Sequence, residues 1–358
     1  MTDIKPIPFA HELFDGKTRM LARYSDSTGW SAFNPSITYT KEHGFLVLIR
    51  SANGYLEDHR PEFQTAYGSE LESPDSYLEP NEWQVSAKLS ALWNKQPQYR
   101  NRMFLAKLDA KKLLLGSMHE IDLSDTEHAA PVNIKRGIED GRIYHDGESL
   151  RVSATAFETH YIPYARICNF KLDASSLEKP FTTGFEMFES PRGKDVVEKN
   201  WMPVDKGLMP AAARPGFDYV YDCGMTYSIK DKTATEVGGF KLPLRGGSQL
   251  IPLEDGTYLA VMHQVVTQQY MRFAALNKSP LMKRRYSHRF VQFSDKGQIV
   301  KVTDPFTFLD KSIEFASGLA RSGGRLLVTF GALDCSAHIS SLSLELVLAS
   351  LRRPRLSV

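Results

Sequence analysis

Short apolar or alternating runs, each entered through Gly, Asp or Pro, recur along the whole chain. They include Gly44–Arg50, Leu150–Ala156, Asp218–Asp222, Thr257–His263 and Arg325–Phe330. Runs of this length and punctuation predict sheet strands. Hairpin turns are legible at Asp146-Gly147, Asp255-Gly256 and Gly323-Gly324, dipeptides that suit the positive-φ turns matching strand twist. A short polar motif stands before each hairpin: Phe33–Ser36, Gly137–Asp140, Glu198–Trp201, Gly246–Gln249 and Glu314–Ser317. Polar motif, short strand, tight turn and apolar strand together form a weak internal repeat. Its five copies predict an all-β fold, a β-propeller of four-stranded sheets around a central channel. Because every motif precedes the first strand of its hairpin, such a ring gathers all five at one end of the channel. The competing arrangement is a β-sandwich of unrelated hairpins.

Two segments interrupt the pattern. Residues 55–100 are polar with a Glu/Pro-rich middle, and Val85, Leu89, Leu92 and Trp93 share one helical face. This segment reads as a partly helical insertion after the first blade, a lid or an oligomer contact, which leaves a homo-oligomer open. Residues 268–285, with Lys278, Lys283, Arg284 and Arg285, read as a second, basic insertion. The tail Ser343–Leu351 fits either a last strand or a short helix. Residues 1–358 are read as one propeller domain.

Composition supports this picture. The 20 Phe, 15 Tyr, 24 Gly and 19 Pro favour sheets and turns over helices. With 44 basic and 42 acidic residues the net charge is +2, and no basic domain or stripe marks a nucleic-acid binder. Cys168, Cys223 and Cys335 form no C-x-x-C pair, and their odd number fits a reducing compartment. No apolar run approaches the roughly 20 residues of a membrane span, and the first residues carry no signal-peptide core. A cytoplasmic location is expected.

The chain has no nucleophilic triad signature, phosphate loop, dinucleotide fingerprint or zinc motif, so neither a metal nor a cofactor is expected. Chemistry must then come from the five motifs. Asp140 with Glu139, Glu314 and Asp334 supply carboxylates. Arg50, Lys199, His263 and the run Tyr286-Ser-His288-Arg289 supply cations and donors. Several cations and few acids suit an anion such as phosphate. One acid among them can protonate a leaving group, and Trp201, Tyr144 and Phe33 can stack on sugar rings. This inventory points to transfer of a sugar to or from phosphate or a phosphorylated group.

Asn34-Pro-Ser36, Arg50, Gly137-Ile-Glu-Asp-Gly-Arg142, Glu198-Lys-Asn-Trp-Met-Pro203, His263 and Gly331-Ala-Leu-Asp334 occur in this order. The order and spacing resemble the β-mannoside phosphorylases of glycoside hydrolase family 130 and the related β-mannosyltransferases, over about residues 30–340. The resemblance implies a five-bladed propeller. It places Asp140 as the general acid, passing its proton through a sugar hydroxyl. It implies phosphate contacts from Arg50, Lys199 and His263, with Asn34 and Ser36 beside them. Glu314 and Asp334 match acidic positions of the sugar pocket. Glu139, Arg142, Trp201, Tyr286, His288 and Arg289 complete the candidate substrate set, with inorganic phosphate or a phosphorylated sugar as co-substrate and a glycan as partner. An inverting hydrolase needs a second carboxylate to activate water, whereas phosphate is already an anionic nucleophile held by cations. The chain departs from the family pattern at Gly141, where proline is common, and at Val204, where an aromatic is common. The run from Tyr286 to Ala320 also resembles surface-polysaccharide glycosyltransferases. A sugar-nucleotide-dependent transferase, a non-catalytic glycan-binding propeller and a plain mannosidase are therefore the alternatives.

Overall fold

The computed structural model describes residues 7–23, 31–52, 101–125, 138–157, 165–193, 196–207, 209–222, 224–240, 242–270, 281–311 and 313–354, with backbone only at 157, 266–270 and 281–284. Among the described residues twenty strands form five antiparallel four-stranded sheets, the five blades of a β-propeller. Blade one is β2 (Ser31–Thr40), β3 (Gly44–Ala52), β4 (Asn101–Asp109) and β5 (Leu114–Glu120). Blade two is β6 (Glu139–His145), β7 (Leu150–Phe157), β8 (Ala165–Asp173) and β9 (Phe181–Met187). Blade three is β10 (Met202–Pro203), β11 (Tyr219–Tyr221), β12 (Met225–Ser228) and β13 (Thr233–Glu236). Blade four is β14 (Ile251–Pro252), β15 (Tyr258–Tyr270), β16 (Leu281–Phe293) and β17 (Ile299–Val302). Blade five takes β18 (Glu314–Ser322), β19 (Arg325–Ala332) and β20 (Ser336–Ser343) from the end of the chain and β1 (Lys17–Arg23) from its beginning. β1 runs antiparallel to β20 from Lys17 opposite Ser341 to Arg23 opposite Ser336. The ring is thus closed by β1 from early in the chain adding as the outermost strand beside β20, which ties the first segment to the last blade.

The apolar runs end up between blades. Leu46 and Leu48 of blade one meet Ile143, Val152 and Phe170 of blade two. Val204 and Val220 of blade three meet Leu250, Ala260 and Val291 of blade four. The helix α1 (Ala10–Leu13) ends at Phe14, whose ring packs edge-on against Phe290 and Phe306 at 5.5 and 5.4 Å. Burying such a ring contributes about 1.5–3 kcal/mol.

The five polar motifs lie at the starts of the innermost strands β2, β6, β10, β14 and β18. In blades one, two and five the strand bulges there, between Phe33 and Ser36, Glu139 and Arg142, and Ala316 and Gly318. Asn34, Asp140 and Asn200 occupy the same step in three blades and all have positive φ, at 46, 51 and 61°. Asn and Asp tolerate that conformation better than most residues, and bulges re-aim side chains.

The axis itself is filled rather than open. Gln249 Nε2 donates to the carbonyls of Ile37 and Leu319, and Leu319 N–H donates to Gln249 Oε1 at 3.2 Å. Ser317 Oγ and Thr329 Oγ1 both donate to the Pro35 carbonyl, at 2.8 and 2.7 Å. One amide from blade four therefore pins blades one and five together at mid-channel.

Two expectations change, and one that stood open is decided. β3 and β4, which flank residues 53–100, pair directly from Phe45–Leu108 to Ala52–Asn101. The insertion thus lies inside blade one rather than after it, and its expected helix lies outside the described residues. The two described ends of the segment 268–285 belong to the blade-four ladder, because β15 and β16 pair as far as Tyr270 opposite Leu281, and residues 271–280 lie outside the described residues. The tail forms a helix, α2 (Leu344–Ser350), whose start is capped by Ser343 Oγ accepting from Leu346 N–H at 3.3 Å.

Candidate active site

The bulge in β6 aims Asp140 at the channel mouth. Its Oδ1 accepts from Asn34 Nδ2 at 2.8 Å and from Arg50 Nη1 at 2.7 Å. Arg50, on β3, is nearly enclosed: Nε donates to Asn101 Oδ1 at 2.8 Å, and Nη2 pairs with Glu139 Oε1 at 2.9 Å. Its guanidinium lies 4.8 Å above the Phe33 ring. Lys199 Nζ reaches Glu139 Oε2 at 3.7 Å and is 38% exposed, so this cation faces the mouth.

Asp334 approaches from the last blade. It sits in a turn closed by Cys335 N–H to the Ala332 carbonyl at 3.1 Å, and both central residues, Leu333 and Asp334, have positive φ. A buried leucine in that region is costly, and such strain persists only where the surroundings hold it. Behind the turn Gly331 lies against Asn34: a Cβ there would sit 2.0 Å from Asn34 Oδ1 and 2.7 Å from its backbone nitrogen. Only glycine allows β19 this close to the Asp140 partner.

The two carboxyls titrate in opposite directions. Burial alone would raise Asp140, but Arg50, Lys199 and the Asn34 and Arg50 hydrogen bonds reverse this and hold it at about 2. Asp334 is pushed up to about 6, first by burial and then by the negative charge of Asp140 and Glu139, with Arg50 and Lys199 opposing. One site therefore holds an ionised carboxylate and a carboxyl that keeps its proton to near neutrality, a pairing that separates acid and base roles.

Arg142 underlies the site. Its side chain is fully buried, with Nε donating to the Gly247 carbonyl at 2.5 Å, Nη1 to the Asp140 carbonyl at 3.2 Å and Nη2 to Asn200 Oδ1 at 3.3 Å. Burial lowers its pKa to about 10, which leaves it charged at neutral pH. Arg142 thus fixes the Asp140 backbone to blades three and four and acts as a positioning residue.

The structure brings together Asn34, Arg50, Glu139, Asp140, Lys199 and Asp334, with Arg142 beneath. It separates the others from them. Ser36 is fully buried and its Oγ accepts from Ile143 N–H at 3.1 Å, tying blade one to blade two. His263 is 2% exposed, and its ring stacks on Tyr286 at 5.3 Å and meets Phe315 edge-on. Burial, reinforced by His288, Arg245 and Arg142, drives its pKa well below 6.5, so it is neutral rather than a cation. Tyr286 beside it is the partly exposed aromatic of that corner.

Trp201 is not a surface platform. It is 1% exposed, stacked on Tyr221 at 4.3 Å, and its Nε1 donates to Glu198 Oε2 at 3.0 Å. Tyr144 shares hydrogen bonds with Asn169 and Tyr219, and Phe33 lies beneath Arg50, so all three expected platforms are buried. His288 is enclosed by Phe306 and Phe308, and burial lowers its pKa to about 3. Glu314 accepts from the backbone N–H groups of Phe308, Leu309 and Lys311, each at 2.8 Å, and anchors the entry to blade five. Arg289 donates to the Thr303 carbonyl at 2.6 Å within blade four. The expected phosphate cations are paired: Arg50 and Lys199 face Asp140 and Glu139.

Sequence reasoning missed Asn101 and Asn200. Asn200 carries a signal, because it occupies the repeat step of Asn34 and Asp140. Asn101, which follows the long insertion, carries none.

A five-bladed propeller with a carboxylate cluster at one channel mouth defines the class. No protein-family model matches the sequence, and no curated protein matches it either. Among solved structures, the β-1,2-mannobiose phosphorylase of Listeria innocua is similar at 14% identity over 97% of this chain and 95% of its own, with a TM-score of 0.52. The mannose phosphorylase MPT-4 of Leishmania mexicana is similar at 12% identity over 95% and 93%, with a TM-score of 0.51. A structure from the GH130 family of mannoside phosphorylases, which contains glycoside hydrolases targeting β-1,2-mannosidic linkages in Candida mannan, aligns at 13% identity over 88% and 85%, with a TM-score of 0.51. At these identities the likeness is one of fold, and the five-bladed propeller is the fold of that family.

Proposed function

We propose that the protein is a carbohydrate-active enzyme that moves a mannosyl group between a β-glycosidic oxygen and phosphate with inversion. The observation that carries this reading is Asp140, a carboxylate held between Arg50 and Asn34 with Lys199 at the open side. Similarity of fold to mannoside phosphorylases supports it. In the degradative direction a phosphate oxygen attacks the anomeric carbon as the glycosidic bond breaks. Asp140 supplies the proton that the departing oxygen takes up, directly or through a sugar hydroxyl, and α-mannose 1-phosphate results. A phosphate dianion drawn to Arg50 and Lys199 competes for the charges that keep Asp140 ionised. Burial then dominates and the carboxyl gains the proton it must deliver. Substrate binding and proton uptake are thus coupled.

One observation favours a second reading, with water as nucleophile. Asp334 is a second carboxyl in the electrostatic reach of Asp140, and an inverting hydrolase needs such a pair. The two readings separate in one assay. Incubation with mannose 1-phosphate and manno-oligosaccharide acceptors is expected to release inorganic phosphate and extend the acceptor, and Asp140→Asn to suppress this by about 10²-fold or more. Release of free mannose from β-mannosides without phosphate dependence selects hydrolysis. No turnover in either format across a panel of sugar phosphates and acceptors refutes both.

A further inference from the structure

The opposite end of the channel holds a second cavity, of about 380 Å³. Its position follows from the repeat. Five residues beyond Asn34, Asn200 and Gly246 along the chain stand Tyr39, Asp205 and Ile251, and all three line it. On β2, at a rise of about 3.3 Å per residue, Asn34 and Tyr39 lie roughly 16 Å apart. Gln249 closes the axis between them through the Ile37 and Leu319 backbones. The cavity is therefore separate from the Asp140 cluster.

Its lining is mostly apolar, from Met209, Pro210, Ile251, Pro252, Leu253 and Leu319, with Tyr39 and Tyr258 adding aromatic rings. Asp205 is the exception. Its Oδ2 accepts from Thr38 Oγ1 at 2.7 Å and its Oδ1 from Gly207 N–H at 3.0 Å, so the carboxylate is held in one orientation. The other lining charges, Glu254 and Arg321, are paired with each other at 2.6 Å, and Arg321 Nε also donates to the Gly323 carbonyl at 3.1 Å. The lining thus carries one carboxylate in excess. Burial raises the Asp205 pKa, with the Thr38 and Gly207 hydrogen bonds and the neighbouring His145 opposing it.

A pocket of a few hundred Å³ with apolar walls and one fixed polar group has the form of a small-ligand site. An anion would face the Asp205 carboxylate. A sugar would leave most of its hydroxyls against methyl and ring carbon. A cation gains from the carboxylate, while the aliphatic and tyrosine side chains of the wall suit an apolar body. We propose that this cavity is a second ligand site, independent of the reaction at the other mouth, that takes a small organic cation bearing an ammonium group on an apolar or aromatic body.

The test is calorimetric titration of the intact chain with phenethylammonium, 2-phenylethanol and phenylacetate. Phenethylammonium is expected to bind about tenfold or more tighter than the neutral and anionic analogues. Asp205→Asn should bring it to the level of 2-phenylethanol. Ala213→Trp, at an exposed lining position, should block all three whether or not Asp205→Asn folds. Absence of saturable binding at millimolar concentration overturns the proposal. So does a charge preference that is missing from the wild type or that survives both substitutions.

Discussion

Replacing Arg50 by methionine is the sharpest probe of the site, because one guanidinium holds two carboxylates. Arg50 is 8% exposed, Glu139 9% and Asp140 17%, so neither carboxylate can turn fully to water when the cation goes. The fall of the Asp140 pKa from 3.8 to about 2 is worth about 2 kcal/mol of folding stability at neutral pH. This share is present above pH 3.8 and lost as the pH falls through about 2, the sign expected of a depressed acid. Losing Arg50 removes it and leaves Glu139 without its 2.9 Å partner, and breaking a buried pair in this way costs about 3–5 kcal/mol. With an unfolding entropy of about 2.1 cal/mol/K per residue over 358 residues, 4 kcal/mol lowers Tm by about 5 °C.

The pH dependence separates this account from simple loss of packing. Without Arg50, burial dominates and the Asp140 pKa rises above its ordinary value. The penalty for holding it ionised is then relieved as the pH falls through that raised value. Scanning calorimetry from pH 7 to 4 should therefore show the gap between variant and wild type narrowing. A gap under 1 °C at pH 7, or one that stays constant to pH 4, would refute the electrostatic reasoning.

Three further outcomes follow from the same geometry. Gly331→Ala pushes Asn34 away from Asp140, so activity should fall at least tenfold while Tm falls by only a few degrees; unchanged kcat/KM would show the approach to be incidental. Glu314 is raised from 4.5 to about 7, chiefly by burial, so its contribution to stability is lost as the pH rises from 4.5 through 7. Glu314→Gln should flatten that stretch of the wild-type stability profile by about 3 kcal/mol, measured by denaturant titration at several pH values. Trp201→Phe should cost about 2–3 kcal/mol through the lost Glu198 hydrogen bond and the void, with KM for any accepted sugar unchanged; a large KM effect would return Trp201 to the pocket.

The propeller was legible because its repeat is local. A polar motif, a turn dipeptide and an apolar strand all lie within a short window, and their order along the chain becomes their order around the ring. The closure by β1 was not legible, since Lys17–Arg23 carries no turn signal linking it to Ser336–Ser343. The insertion point was misplaced for a related reason: residues 53–100 separate β3 from β4, two neighbours of one sheet, and sequence distance conceals that pairing.

At the candidate site, the motifs mark strand ends that the structure gathers at one mouth, but polarity does not tell which side chain the strand turns toward it. Trp201 and Asn200 are adjacent in one motif, yet the tryptophan fills the blade core while the asparagine meets Arg142. The deciding variable is backbone conformation. Asn34, Asp140 and Asn200 share positive φ, and each directs its side chain to the axial network of Arg50 and Arg142. The residues two steps on, Ser36, Arg142 and Met202, are buried and lock neighbouring blades. Chemistry and scaffold thus alternate along each innermost strand. A charged residue in a motif therefore says little until its step relative to the bulge is known, and at the bulge step only Asp140 carries a charge.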